Sequence, residues 1–291
     1  MLRVDEIKRL AIIAMASDDT LVETLVLKGG NAIDLMYREK DGNLSRASYD
    51  LDFSISGDFD ETLSDISDRI ERTLIKTFLE QKFVVFDYKF SVKPSVANEQ
   101  VKDFWGGYNV SFKLATPEAV RGAAGNLDKL RRTAMGILPN GSTRFEIEIS
   151  KYEYTGGKVE AEVDGYHIFI YSAEMIVFEK LRAICQQLLQ YAEVIPSHSP
   201  RPRARDFYDI YLLMNQHQIN AASPDSKQLL QYIFEAKRVP TRFIKLIKDN
   251  LNIHRQDWQS VLDTLSAKEE VKSFDFYVDF VCSQFELLTF P

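Results

Sequence analysis

The chain of 291 residues has only two cysteines, Cys185 and Cys282, far apart and each inside an apolar segment. This excludes a disulfide framework and a thiolate metal site, and it fits two buried thiols in a reducing cytoplasm. No stretch approaches the roughly eighteen uncharged apolar residues of a membrane span. The amino-terminal MLRVDEIKRLAIIAMA lacks a cleavage-site pattern and interrupts its apolar run with charge, so it reads as an amphipathic helix and not a signal peptide. A basic excess is also missing. With 36 Lys and Arg against 43 Asp and Glu, the net charge is -7, which argues against nonspecific coating of a polyanion but leaves room for a local basic cleft. There is no internal repeat or low-complexity tract. The phosphate-loop patterns GxxxxGK[ST] and GxGxxG are absent, as is the hydrolase elbow G-x-S-x-G. The four histidines, His167, His198, His217 and His254, form no HxxxH or HExxH spacing.

What is present describes a folded protein in two halves. Hydrophobic residues make up 45% of the chain, enough for a sizeable core. Residues 5–24 read as helix, LVLKGG as a short β-prone run ended by glycines, and AIDLMYREK as a helix with Ile33, Met36 and Tyr37 at helical spacing. DGNLSRAS is a loop. YDLDFSI alternates Tyr49, Leu51, Phe53 and Ile55 with Asp50, Asp52 and Ser54, the period of a strand. A helix is expected over 59–80, then strands in FVVFDYKFSVKP, NVSFKLATP, TRFEIEISKYEY and GYHIFIYS. From residue 172 onward the period is helical. SAEMIVFEKLRAICQQLLQYAEVI reads as one helix, a Pro/Ser/His-rich link follows, and RDFYDIYLLMNQH is a second; 226–236, 241–248, 258–265 and 274–288 supply more. The expectation is an α+β fold, with an amino-terminal unit over 1–171 and a helical unit over 172–291.

Several side chains have the right chemistry to form a site. Asp50 and Asp52, at i and i+2 of a strand, project from one face. Two such carboxylates repel unless a cation sits between them, so the pair suits a divalent ion such as Mg²⁺ or Mn²⁺; the other reading is the polar face of a surface strand. Gly29 and Gly30, with Lys28 before and Asn31 after, stand where a strand turns into a helix, a place where backbone N–H groups hold phosphate oxygens. RFEIEIS offers Glu146 or Glu148 as a further carboxylate from a neighbouring strand, unless these two are simply its exposed face. Ser48 shares a face with Asp50 and could orient a carboxylate or phosphate. Lys180, between Val177, Leu181 and Ile184, either reaches a triphosphate or lays its stem along the helix. Asp206 and Asp209 are i,i+3 neighbours at a helix start. Capping accounts for Asp206, but less well for Asp209, which precedes an apolar run. Arg201, Arg203 and Arg205 with Lys129, Arg131 and Arg132 form either a positive rim for nucleic acid or a solvated surface.

The segments KGGNAI and RASYDLDF, followed by FEKLRA and RDFYDIYL, resemble the motifs of the AbiEii/AbiGii-type nucleotidyltransferase toxin family. That resemblance implies a nucleotidyltransferase-like mixed β-sheet domain, with a helical domain contributing to its active site. It implies a nucleoside triphosphate substrate, Mg²⁺ or Mn²⁺, and transfer of a nucleotide to an acceptor such as tRNA. Catalytic roles fall to Asp50, Asp52, Lys180, Asp206 and Asp209. Nucleotide contacts fall to Lys28, Gly29, Gly30, Asn31, Ser48 and Lys180, and metal ligation to Asp50 and Asp52 with Glu148 or Glu146. It further implies a cytoplasmic type IV toxin in phage defence, with a separately encoded antitoxin. The chain departs from the family pattern in Gly-Gly-Asn at the turn, where a hydroxyl residue is more familiar, and in Gln186-Gln187, where an arginine is expected. Transfer to a protein or small molecule, and a non-catalytic nucleotide-binding module, are the alternatives.

Overall fold

The computed structural model describes residues 3–38, 51–95, 99–137, 141–263, 265 and 271–290, the side chains of 36–38 excepted. Helices α1 (Val4–Ala16) and α2 (Asp19–Thr24) precede β1 (Val26–Leu27), α3 (Gly29–Arg38), β2 (Leu51–Ser54) and α4 (Leu63–Glu80). Strands β3 (Val84–Lys93) and β4 (Gly107–Ala115), helices α5 (Pro117–Ala123) and α6 (Leu127–Arg132), and strands β5 (Arg144–Ser150), β6 (Lys158–Val163) and β7 (Tyr166–Tyr171) follow. The remainder is helical: α7 (Ala173–Cys185), a 3₁₀ turn (Leu189–Glu193), α8 (Ala204–His217), α9 (Pro224–Glu235), a longer 3₁₀ segment (Thr241–Asn250), α10 (Leu251–Arg255), α11 (Trp258–Leu262) and α12 (Phe274–Phe285).

The fold is α+β, built on a seven-stranded mixed sheet in the order β3-β4-β5-β2-β1-β7-β6. β2 runs parallel to β5 and β1 parallel to β7, while the other neighbours are antiparallel. In β5, Phe145, Ile147 and Ile149 are buried on one face and Glu146 and Glu148 turn to the other. One continuous apolar core runs from Ile7 of α1 through Ile147 and Ile170 of the sheet to Phe178 of α7, Phe207 of α8 and Phe285 of α12. Both halves of the chain thus share a core, although among the described residues every strand ends by Tyr171.

The elements differ from the sequence expectation where local chemistry intervenes. The helix expected over 5–24 breaks because Asp18 caps a new one, accepting from the backbone N–H groups of Thr20 and Leu21. The helix after residue 172 stops at Cys185 and gives way to the 3₁₀ turn. β6 had no counterpart in the sequence reading. It forms a two-residue hairpin with β7 across Asp164 and Gly165, both at positive φ, and the Asp-Gly pair is the signal that marks such a turn. Among the described residues no helix is long and apolar enough to cross a membrane.

Candidate active-site cleft

The geometry begins at the end of β1. After Leu27 the backbone N–H of Lys28 donates to the carbonyl of Asp52 at 2.9 Å, and Gly29 turns with φ +66. A Cβ on Gly29 would lie 3.0 Å from Asp52 Oδ2, so the positive φ and the missing side chain both let the turn sit on that carboxylate. In the parallel β2–β5 pair Asp52 stands directly opposite Glu148. Adjacent strands lie about 4.8 Å apart, so the two carboxylates share a face as immediate neighbours. Across β5 from Glu148 stands Asn109 of β4, and Lys93 Nζ reaches Glu148 Oε1 at 2.5 Å.

Lys28, Gly29, Asp52, Lys93 and Glu148 line a cleft of about 550 Å³, closed on its other side by α7 and the start of α8. Seven basic side chains line it against five acidic ones. That local excess stands inside a chain of net charge -7, so it is a property of this site and not of the surface at large.

A buried charge cluster lies against the cleft. Lys28 pairs with Glu179 at 2.9 Å and Glu153 at 3.5 Å; Arg182 pairs with the same two at 3.5 and 3.6 Å; Lys237 reaches Glu153 at 3.4 Å. Lys237 Nζ also donates to the backbone carbonyls of Lys151 at 2.6 Å and Phe104 at 3.2 Å. Burial alone would raise the Glu153 carboxyl, but Lys28, Arg182 and Lys237 hold it down to about 2. Burial likewise opposes the charge of Lys28, yet Glu179 and Glu153 outweigh it and keep that ammonium above its ordinary value. Lys237 falls the other way: burial dominates and brings it down to about 8.

A second cluster joins α7 to α8. Lys180 Nζ lies 2.8 Å from both Asp206 and Asp209, whose side chains are 9% and 5% exposed. Arg203 approaches Asp206 at 3.5 Å. The first turn of α8 is set from beneath by His254, whose Nδ1 accepts the backbone N–H of Arg203 at 3.0 Å. Burial pushes the His254 imidazole down to about 4, against the opposing pull of Asp206.

Set against the sequence expectation, the structure brings Lys28, Gly29, Gly30, Asp52, Glu148, Lys180 and Asp206 to one cleft. Asp209 lies behind Lys180 and does not line it. Glu146, two residues before Glu148, pairs with Ser111 and is likewise outside the lining. Asn31 is buried and lines a different cavity, of about 390 Å³, between α1, α3 and β6. Asp50 and Ser48 lie outside the described residues. Of the expected basic rim, Arg203 and Arg205 line the cleft. Lys129, Arg131 and Arg132 sit on α6, beyond the far end of β4 from Gly107, a strand about 27 Å long. There Arg131 holds Asp87 at 2.8 and 2.9 Å.

Glu153, Glu179, Arg182 and Lys237 escaped the sequence reading. Glu179 and Arg182 flank Lys180 inside its motif, a signal that was present. Glu153 and Lys237 carried none, because only the tertiary fold brings them together. Asp52 and Glu148 are oxygen donors suited in kind to a hard divalent cation, and their register sets them side by side. Among the described residues no group of three or more His, Cys, Asp or Glu side chains could hold a metal ion.

A family model described as nucleotidyl transferase AbiEii toxin, type IV toxin–antitoxin system, matches residues 11–280. No curated protein matches the chain. Among solved structures, JHP933 from Helicobacter pylori is 16% identical, with 97% of this chain and 89% of that one covered and a TM-score of 0.48. An antigenic nucleotidyltransferase-like protein from Paracoccidioides brasiliensis is 19% identical, with 90% and 94% covered and a TM-score of 0.41. MenT4, a nucleotidyltransferase toxin from Mycobacterium tuberculosis, is 12% identical, with 99% and 91% covered and a TM-score of 0.42.

Proposed function

Because the chain belongs to the AbiEii family of nucleotidyl transferase toxins from type IV toxin–antitoxin systems, we propose that its cleft moves a nucleotide from a nucleoside triphosphate to a hydroxyl of tRNA. The observation that carries this reading is the in-register pair Asp52–Glu148 beneath the Gly29 turn, in a cleft with more basic than acidic side chains. In the reaction the acceptor hydroxyl oxygen bonds to the α-phosphorus and its proton passes to solvent, the bond from that phosphorus to the bridging oxygen breaks, and pyrophosphate leaves.

Asp52 and Glu148, with Asp50 from the same strand face in sequence, would hold Mg²⁺ or Mn²⁺. Such an ion neutralises phosphate oxygens and lowers the pKa of an attacking hydroxyl. The backbone N–H groups at the start of α3 suit phosphate oxygens, and Arg203, Arg205 and Lys93 add positive charge on the walls. Lys28, Arg182 and Lys237 act by potential from within their ion pairs. Lys180 faces the phosphates from α7, and Asp206 and Asp209 fix its ammonium; for Asp209, positioning fits the geometry better than proton removal. The family implies a separate antitoxin, and a role in phage defence would follow from toxicity towards the host's own tRNA.

The test is incubation with Mg²⁺, each labelled nucleoside triphosphate in turn, and total RNA. Label entering the tRNA fraction is the expected result. Nucleotide binding without transfer to RNA, protein or small molecules would contradict the reading, and label on protein would move the acceptor to a side chain.

A further inference from the structure

Trp105 is the exposed large apolar side chain that lines the cleft; the others that stand exposed among the described residues lie elsewhere. An isolated apolar group on ordinary surface calls for no explanation. This one is 43% exposed in a wall that is otherwise mainly charged, polar or glycine.

Its backbone is pinned on both sides. The N–H of Trp105 donates to the carbonyl of Val101 at 2.8 Å. The carbonyl of Phe104 accepts from buried Lys237, and the Phe104 ring is buried beneath the Arg238 guanidinium at 4.2 Å. On the other side the carbonyl of Gly106 accepts from the backbone N–H of Lys151 at 2.9 Å. Gly107 packs so tightly that a Cβ there would lie 2.1 Å from the carbonyl oxygen of Ile149. Gly107 also pairs with Ser150, two residues beyond Glu148, so Trp105 is carried by the same end of the sheet as the carboxylates.

We propose that the Trp105 indole is the stacking platform for a nucleobase in this cleft. The inference rests on the nucleotidyltransferase reading and assigns the base, where that reading assigns only the phosphates. An indole on a pinned backbone has only two side-chain torsions to lose on contact, and every base presents a π-face to it. Stacking therefore supplies affinity without selecting among bases, and the base belongs either to the incoming triphosphate or to the acceptor RNA.

The chain has two tryptophans, and Trp258 packs against Phe274 and Tyr277, so 5-fluorotryptophan incorporation gives two ¹⁹F resonances, assigned with Trp105→Phe. The full chain is titrated with nucleoside triphosphates, with inorganic tripolyphosphate, and with a tRNA acceptor-end oligonucleotide. A shift of the Trp105 resonance with triphosphate or RNA, but not with tripolyphosphate, is expected and identifies which base stacks. Trp105→Ala should weaken that ligand by roughly 5- to 150-fold, with Trp105→Phe restoring most of it and neither changing the melting temperature. Ligand binding with a silent Trp105 resonance and an unaltered Kd in Trp105→Ala would overturn the inference while leaving the proposed function intact. If the wild-type chain neither binds nor transfers any nucleotide, the proposed function fails and takes this inference with it.

Discussion

Glu153 is the residue on which the charge cluster turns. It faces Lys28, Arg182 and Lys237 at 3.4 to 3.6 Å with 6% of its side chain exposed. Removing it leaves Lys28 and Arg182 to share Glu179 and leaves Lys237 with backbone carbonyls alone, and an uncompensated buried charge costs about 3–5 kcal/mol. Glu153→Ala and the near-isosteric Glu153→Gln should both lose stability of that order, read as a lowered urea midpoint; a midpoint unmoved in both would mean that the cluster is solvated. The pH dependence has a definite sign. Its folded pKa, about 2, lies below the ordinary 4.5, so its contribution is present above pH 4.5 and is lost as pH falls from there towards 2. At this scale the sequence was legible where spacing carries chemistry. Asp52 stood out because alternation fixed its face, whereas Glu146 and Glu148 share a face in sequence and only the strand register sets Glu148 opposite Asp52. Asn31 was expected at the nucleotide, and its position in the turn does not reveal that it is buried and lines the second cavity.

Helix α8 depends on its neighbours for the geometry of its first turn. Its first turn presents Asp206 to Lys180, and the N–H of Arg203 is received by His254 Nδ1 from α10. That acceptor requires an imidazole unprotonated at Nδ1. Burial lowers His254 from 6.5 to about 4, so between those values the unfolded chain takes up a proton that the folded chain refuses. Stability therefore falls as pH drops from 6.5 to 4. His254→Asn should flatten this part of the acid limb in melting temperatures measured across the range, and a slope identical to wild type would remove His254 as its cause. Long periodic elements such as α4 and β5 could be read from sequence because one face is apolar throughout. Element ends were harder. Asp18 starts a helix inside an apparently continuous one, and β6 shows only Val159, Ala161 and Val163 alternating with Glu160 and Glu162 beside its hairpin turn.

Across the whole molecule, the sheet and the later helices share one core, and the cleft lies where they meet. Asp52 and Glu148 come from the sheet, Lys180 and Asp206 from α7 and α8. This division explains what the sequence could not supply. Motifs named the contributors from each half, but the partners of Lys28 and Lys180 depend on how the helices close over the strands. Lys28 is held by Glu153 and Glu179, so in the proposed function its charge would act on a phosphate mainly as field. The central claim is that the Asp52–Glu148 pair carries out transfer. The most direct test compares wild type, Asp52→Asn and Glu148→Gln for transfer of labelled nucleotide to tRNA, with circular dichroism and triphosphate Kd measured on each. The account predicts folded variants that keep measurable triphosphate binding and lose transfer by at least about 100-fold, as expected when charge stabilisation at the reacting centre is removed. Transfer at wild-type rates in both folded variants would contradict it.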